Sequence, residues 1–327
     1  MSGLVRVLTF GDERYAIPLA AHGRSLLDNL PEPHRLHLTV IDGGITPATK
    51  DRLLRSWASV RVEVRFVPPC LPHPKKLPRW GRVPLLTYSR IMVADYYGAD
   101  VERALVLDSD TILCRSITEL FSLPFGEHIL LAAQDPAIPF VDWFDGLASW
   151  RELGFAPRSP YFNAGVMLIH LPRWREADVA TRAFEFIAAR SSELRYFDQD
   201  ALNATVAPRS WGLLDPRWQV QPRLASQRRI PQPHLDQGQR ALLTLDPWLY
   251  HFSGRVKPWE VNDGTTACRR FFQCLDETEW SGWRPRRSIR AAAVAFYDRR
   301  LRGHCYRMER VACAAQRFLS KLRGRNS

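Results

Sequence analysis

The sequence predicts an α/β fold organised around a parallel sheet. Apolar, strand-like runs alternate along the chain with stretches of helical pattern, and this alternation is typical of parallel α/β sheets. Residues 4–10 predict a first strand, residues 19–30 a helix, and residues 36–41 a second strand that stops at Asp42 and Gly43. With 327 residues, the chain is long enough to bury a substantial core.

The next elements continue the alternation. Thr46 is placed to cap a helix whose first turn contains Pro47. Residues 60–66 alternate apolar and polar side chains and predict a third strand, and residues 85–97 are helical in pattern. In such sheets, ligands bind beyond the carboxyl ends of the strands. Asp12 follows the first predicted strand and is therefore a candidate for a binding site there.

The most informative motif is Asp108-Ser109-Asp110, at the end of the apolar run 103–107. In an extended segment, side chains two residues apart point the same way, so the two carboxylates are expected to share one face. Such a pair can hold a hard divalent cation that completes its coordination with phosphate oxygens. Two solvated aspartates at a strand end are the structural alternative, because Asp favours turns.

Three later segments supply further polar candidates. These are Asn163 and Gly165 in residues 161–170, Asp198 and Gln199 in residues 197–203, and His251, Gly254 and Lys257 in residues 250–259. Each has an ordinary alternative: the glycines can form tight turns, and Asp198 or Gln199 can cap a helix. The histidine can be a satisfied core or surface residue, and the lysine a solvated one.

The side chains of these segments can act together in one binding site. His251 can add an imidazole nitrogen to the two aspartates, and this mixed ligand set suits manganese better than calcium. A backbone N–H at Gly254 and the charge of Lys257 can bind a diphosphate. A metal and a lysine together stabilise the negative charge that develops on a departing diphosphate.

The motifs resemble family 8 of the retaining glycosyltransferases, which includes glycogenin and bacterial lipopolysaccharide galactosyl- and glucosyltransferases. Six motifs occur in the order of that family, between about residues 4 and 265. They are residues 9–16, residues 86–91, Asp108-Ser109-Asp110, residues 162–166, residues 198–203 and residues 251–259. The resemblance implies a single GT-A-type, Rossmann-like domain that binds a nucleotide sugar on a mixed central sheet.

The resemblance also implies roles for individual residues. Manganese, with magnesium as the alternative, would be bound by Asp108, Asp110 and His251. The UDP-sugar donor would be contacted by Asp12, Tyr15, Arg90, Asp108, Ser109, Asn163, Gly254 and Lys257. Gln199 and Asp198 would be the catalytic residues beside the anomeric carbon. Arg14 departs from the family pattern, in which a small polar residue is common before the tyrosine.

The implied reaction moves a hexose from the UDP-sugar to an acceptor and retains the anomeric configuration. The expected acceptor is a saccharide or lipid-linked saccharide, such as lipopolysaccharide or another cell-envelope glycan. Retention admits a covalent intermediate on a carboxylate or attack from the face that the diphosphate leaves. Because an amide is a poor nucleophile, Gln199 favours same-face attack, with the amide steadying positive character at the anomeric carbon.

The positive charge is concentrated at the end of the chain. Residues 285–327 carry a net charge of +10, out of +12 for the whole protein. Apolar residues recur there every three to five positions, a pattern typical of an amphipathic helix. We therefore expect a catalytic domain at residues 1–280 and a basic helical extension at residues 281–327. That extension would contact an anionic membrane, or alternatively pack on the body of the protein.

Several classes of protein are disfavoured by the sequence. No uninterrupted apolar stretch of about 18 residues predicts a transmembrane helix. The first thirty residues have no continuous apolar segment, so we expect a cytoplasmic protein, peripheral on the inner face of the cell membrane. The six cysteines show no zinc-like or Cys-x-x-Cys spacing and are expected to be reduced.

Two other functions compete with the transferase hypothesis. A basic, aromatic-rich chain could bind nucleic acid. The confinement of the charge to the end of the chain, and the absence of a recognised nucleic-acid motif, disfavour this function, and we expect no nucleic-acid partner. The chain could also be a catalytically silent scaffold with a transferase-like fold, since fold alone does not fix function. The presence of all the expected metal ligands disfavours that alternative.

Overall fold

The computed structural model describes residues 3–72, 77–78, 85–206, 210–226, 232–254 and 256–286, together with Ala293 and Phe296. The strands are β1 (Leu4–Gly11), β2 (Arg35–Asp42), β3 (Val62–Val67), β4 (Arg103–Leu107), β5 (Thr111–Leu113), β6 (Leu130–Gln134), β7 (Phe162–His170), β8 (Trp211–Leu213) and β9 (Leu249–His251). The predicted α/β class is confirmed.

The α-helices lie between these strands. They are α1 (Ala16–Asp28), α2 (Pro47–Ser56), α3 (Thr118–Phe121), α4 (Leu171–Glu176), α5 (Val179–Arg190), α6 (Phe197–Thr205), α7 (Pro222–Ser226), α8 (Gln237–Leu245) and α9 (Thr266–Asp276). Segments of 3-10 helix occur at Glu13–Tyr15, Leu85–Tyr96 and Pro216–Gln219. The helix predicted at residues 85–97 is thus 3-10 helical, and its backbone is non-helical at Met92.

The main sheet has seven strands in the order β3-β2-β1-β4-β7-β6-β8. The pairs β3–β2, β2–β1, β1–β4 and β6–β8 are parallel, whereas β7 runs antiparallel to both β4 and β6. The mixed sheet implied by the resemblance is therefore confirmed, and the all-parallel sheet suggested by the alternation alone is wrong at β7. A second sheet pairs the short strands β5 and β9 in antiparallel fashion.

The core occupies both faces of the main sheet, because successive side chains of a strand point to opposite faces. On β4, Leu105 and Leu107 belong to one apolar cluster, and Ala104 and Val106 to the other. The first cluster includes buried residues of α1, α2 and α9, and the second includes residues of α5, α6 and the 3-10 helix Leu85–Tyr96. The sheet is thus covered by helices on both sides.

Local signals place several boundaries correctly. Thr46 caps α2 by accepting a hydrogen bond from the Thr49 backbone N–H, and Pro47 begins that helix, as predicted. The aromatic segment between β6 and β7 packs mainly as core: Phe140 and Phe155 are buried in the second cluster, and Trp143 packs against it. These rings therefore have a structural role.

Most of the predicted basic extension lies outside the described residues, which end at Arg286 apart from Ala293 and Phe296. No helix among the described residues has the length and apolar character that a membrane crossing requires. The four cysteines within the described ranges (Cys70, Cys114, Cys268 and Cys274) are free thiols, as expected.

Candidate active site

The site lies at the carboxyl ends of β1 and β4, which are neighbours in the sheet. Asp12 follows β1 and Asp108 follows β4, so the two residues begin loops at the same edge. This is the edge at which ligands bind in sheets of this kind.

Asp108 and Asp110 lie in a turn between β4 and β5 and not in an extended strand. The two carboxylates were expected to share one face because side chains alternate along a strand, and this reason was wrong. The turn is held by the Asp108 backbone N–H, which donates to Gly165 O at 2.9 Å, and by Thr111 Oγ1, which donates to Asp108 O at 2.8 Å. In the following β5–β9 pair, Thr111 stands opposite His251. The turn thus brings the imidazole to the carboxylates.

Asp108, Asp110 and His251 form what we call the metal cluster. His251 Nε2 lies 3.4 Å from Asp108 Oδ2 and 3.2 Å from Asp110 Oδ1, and one ligand atom from each residue falls within 4.8 Å of the others. Two carboxylates and one imidazole suit a manganese-like ion. Gly165 makes room for the cluster, because a Cβ there would overlap the His251 ring and lie 2.8 Å from Asp108 Oδ2.

The electrostatics of the cluster follow from its burial and its neighbours. Burial alone would lower the pKa of His251, but Asp110 and Asp108 outweigh it and raise the pKa to about 9. Burial would raise the pKa of Asp110, yet Lys257 and His251 hold it well below its usual range. Lys257 Nζ lies 2.5 Å from Asp110 Oδ2 and also donates to the Phe252 carbonyl.

Arg90 links the metal cluster to the residues expected to be catalytic. Its guanidinium is buried and lies 2.8 Å from both Asp108 Oδ1 and Asp198 Oδ2, and it donates to Ala164 O at 2.5 Å. The Phe10 ring packs under it, with the guanidinium carbon 4.8 Å from the ring centroid. The predicted donor-binding arginine is thus an internal cross-brace between two carboxylates in this structure.

The two aspartates beside Gln199 have different surroundings. Burial raises the pKa of Asp198 to about 6 although the neighbouring Arg90 opposes the shift. Asp200 Oδ1 accepts from the Tyr161 hydroxyl at 2.6 Å, and its Oδ2 accepts from the Arg195 and Tyr196 backbone N–H groups. The alternative in which Asp198 or Gln199 caps α6 is wrong, since the helix has no side-chain cap at its N-terminus.

Asn163, Asp135, Gln199 and Tyr161 form what we call the amide network. Asp135 Oδ2 accepts from Asn163 Nδ2 at 2.7 Å and from Gln199 Nε2 at 3.2 Å. Gln199 Nε2 also lies 3.4 Å from the Tyr161 hydroxyl, and its Oε1 accepts from the Ala164 backbone N–H at 2.9 Å. The network therefore fixes the Gln199 amide at both of its ends.

Two residues of the site were not predicted from the sequence. Asp135 follows β6 directly, but Asp-Pro reads as an ordinary turn and the residue stands in no recognised motif. Gln219 lies beside the metal cluster, where its Nε2 is 2.6 Å from His251 Nδ1. The position of Asp135 after a strand end could have marked it as a candidate, whereas no local signal marks Gln219.

The expected donor contacts Asp12 and Tyr15 follow β1, the strand beside β4. Asp12 Oδ1 accepts from the Arg14 and Tyr15 backbone N–H groups, and its Oδ2 pairs with the exposed Arg14 side chain at 2.7 Å. Tyr15 makes an edge contact with Trp259, with centroids 5.7 Å apart. Burial, followed by Asp110 and Asp108, raises the pKa of Tyr15.

Among the remaining predicted residues, Ser109 is buried in the turn between the two aspartates. Gly254 lines a cavity of about 390 Å³ that also touches His251 and Lys257. The walls of this cavity away from the cluster are mostly apolar and come from α7, α8, β9, the segment after β9 and the start of α9. The structure thus gathers nearly all the predicted residues around one cluster, with a cavity beside it.

The chain is similar in sequence to known proteins. General stress protein A of Bacillus subtilis is 26% identical over 85% of this chain and 95% of its own length. The lipopolysaccharide 1,3-galactosyltransferase of Salmonella typhimurium is 26% identical over 63% of this chain, which spans 59% of that protein.

Solved structures share the fold. The galactosyltransferase LgtC, solved with donor and acceptor sugar analogues, superposes with a TM-score of 0.68 at 24% identity, over 84% of this chain and 96% of that one. The bifunctional glycosyltransferase WbbM gives a TM-score of 0.73 at 20% identity, over 86% of this chain and 51% of that one. The GT-A fold expected from the motifs is therefore confirmed. Residues 7–263 match the sequence profile of glycosyl transferase family 8, and the chain belongs to that family.

Proposed function

We propose that this protein is a manganese-dependent retaining hexosyltransferase that uses a UDP-sugar donor and a saccharide or lipid-linked saccharide acceptor. The convergence of Asp108, Asp110 and His251 from two separate segments supports the proposal most directly. These residues are 143 positions apart at their extremes, so a solvated strand end does not account for their meeting. The bound ion would act as a Lewis acid on the diphosphate.

The protein side chains would position the donor and stabilise the charge that develops on it. Lys257 adds a positive charge beside Asp110, where it can bind the departing diphosphate. Arg90 holds Asp108 and Asp198 in a fixed relation. Tyr15, at the end of the 3-10 helix Glu13–Tyr15, would stack against the base.

For the chemical step, we propose attack from the face that the diphosphate leaves. The bond from the anomeric carbon to the diphosphate oxygen breaks, the acceptor oxygen bonds to that carbon, and its proton passes to the diphosphate. The hydrogen bonding around Gln199 supports this route. Asp200 accepts three hydrogen bonds and Asp198 is paired with Arg90, so both nearby carboxylates have fixed structural partners. The Gln199 amide can steady positive character at the anomeric carbon.

The test is to incubate purified protein with manganese and a panel of UDP- and GDP-hexoses, and to measure release of free nucleotide. We expect hydrolysis or transfer from at least one UDP-hexose, and loss of it when manganese is removed by a chelator. Nucleotide binding without turnover from any donor would identify the silent scaffold instead. A salt-sensitive shift of DNA in a gel would favour the nucleic-acid alternative.

We also propose that residues 1–280 form the catalytic domain and that residues 281–327 attach it to an anionic cytoplasmic membrane surface. The net charge of +10 in residues 285–327 supports the second proposal. Deleting residues 285–327 should abolish cosedimentation with vesicles that contain phosphatidylglycerol, while hydrolysis of the donor persists. Unchanged binding to the vesicles would contradict the role of the tail, and loss of folding would contradict the domain boundary.

A further inference from the structure

Gln219 is the one side chain that the described residues place in hydrogen-bonding contact with Nδ1 of His251, at 2.6 Å. It lies at the end of the 3-10 helix Pro216–Gln219, in a segment separate from every motif of the site. Gln219 is 2% exposed, and His251 is likewise 2% exposed. A buried amide against a buried imidazole must match donors with acceptors, because an unpaired polar group is costly there.

The opposite nitrogen of the ring decides what Nδ1 must carry. His251 Nε2 faces the oxygens of Asp108 and Asp110 at 3.4 and 3.2 Å, which is the position of a metal-ligating nitrogen. A nitrogen that ligates a cation presents its lone pair, so the ring proton then resides on Nδ1. Nδ1–H needs an acceptor, and the ring is oriented by whichever group supplies it.

The Gln219 amide can supply that acceptor. Its Nε2 and Oε1 exchange places by a half-turn of the terminal amide, and the two atoms are assigned by hydrogen bonding alone. Oε1 has no partner among the described residues, so the half-turn breaks no other hydrogen bond of the described part of the chain. An amide thus serves both ring tautomers: it donates to a bare Nδ1 and accepts from Nδ1–H.

We propose that Gln219 is the positioning residue of the metal site, holding His251 through a hydrogen bond that Gln219 Oε1 accepts from Nδ1–H while Nε2 binds the cation. This role rests on the manganese site of the proposed function. Gln219, which stands outside the motifs, would thus orient His251, the one ligand that comes from a distant strand. Outer partners of this kind typically change metal affinity by about 10- to 100-fold.

The test measures Mn²⁺ affinity by electron paramagnetic resonance on the full-length protein with UDP present. Gln219→Met keeps nearly the same side-chain length and removes both polar atoms of the amide. We expect it to weaken Mn²⁺ binding by about 10- to 100-fold. Gln219→Glu restores an acceptor for Nδ1–H and should bind Mn²⁺ at least as tightly as the wild type. Gln232→Leu is the matched control, because Gln232 is also a buried amide but bonds to Leu224 O and not to a metal ligand.

Three outcomes decide the matter. Equal Mn²⁺ affinity in the wild type and Gln219→Met would overturn this inference and leave the proposed function standing. Should Gln219→Met fail to fold, the acceptor variant still decides, since a loss of more than tenfold in Gln219→Glu would overturn the inference. Failure of the wild type itself to bind Mn²⁺ would overturn both this inference and the proposed function. A second readout, long-range proton–nitrogen spectra of histidine-labelled protein with Mg²⁺, should show the proton of His251 on Nδ1.

Discussion

The metal cluster and the amide network lie at the same sheet edge but are built on different principles. In the metal cluster, ionised groups face one another, with Lys257 beside Asp110 and Arg90 beside Asp108. In the amide network, Asp135 is the only carboxylate among neutral partners and its oxygens are occupied by four N–H donors. The first arrangement keeps charge available for a ligand, whereas the second fixes geometry. We therefore expect substitutions in the two regions to reduce activity by different amounts.

The largest effect should come from the metal cluster. Asp110→Asn removes one charged ligand and the partner of Lys257, and we expect donor turnover to fall by about 10³-fold. Steady-state nucleotide release with saturating donor is the measurement, with Asp51→Asn, at an exposed position on α2, as the control. Full activity in Asp110→Asn would show that the charge of the cluster is not used in the reaction.

A smaller effect is expected in the amide network. Gln199→Ala should reduce turnover by about 10²-fold, far less than the ~10⁶-fold that removing a true nucleophile costs. The reason is that in the proposed same-face attack the amide would only stabilise positive charge at the reacting carbon. Mass spectrometry of the intact protein during turnover provides the second readout. A trapped glycosyl adduct on Asp198 would show that the reaction is a double displacement.

The spacing within the metal cluster can be tested at Gly165. Gly165→Ala places a methyl group against the His251 ring and Asp108, so we expect Mn²⁺ affinity to fall by about 10- to 100-fold. Titration of Mn²⁺ by calorimetry measures the change. Gly238→Ala, on the exposed surface of α8, should bind Mn²⁺ like the wild type. If both variants bind equally well, the close approach at Gly165 is not required.

The smallest effect concerns His22, which contacts Thr111 directly after the turn that holds Asp108 and Asp110. His22 is fully buried on α1, its Nδ1 lies 3.0 Å from Thr111 Oγ1, and burial lowers its pKa to about 4. Between pH 6.5, near the pKa of an unfolded histidine, and pH 4, His22 is protonated in the unfolded chain but neutral in the folded chain. Stability therefore falls as the pH is lowered, by up to ~1.4 kcal/mol per pH unit from this residue.

The measurement is urea unfolding of the wild type and His22→Asn at pH 7.5 and pH 5. The variant keeps a polar side chain near Thr111 but does not titrate in this range. We expect the wild type to lose about 2 kcal/mol more than the variant over this change of pH. Identical losses in the two proteins would show that folding does not lower the pKa of His22.

The sequence predicted the metal cluster well because its members stand in short motifs that end strands, as Asp108 does after β4. It predicted the amide network only in part, since Asn163 and Gln199 stand in motifs but Asp135 does not. Gln219 could not be found, because its role depends on a contact across 32 positions and not on a local pattern. The reversed β7 likewise follows from pairing between distant strands, which periodicity within a segment does not report.

The salt bridge between Lys257 and Asp110 has a consequence for a cell that is short of divalent cations. Together with Arg90 and a protonated His251, this lysine offsets the three acids Asp108, Asp110 and Asp198. The summed charge of these six side chains is therefore close to zero, and the three cations offset the repulsion among the three acids. Under the proposed metal dependence, chelation should abolish activity without unfolding the protein, and returning the ion should restore activity.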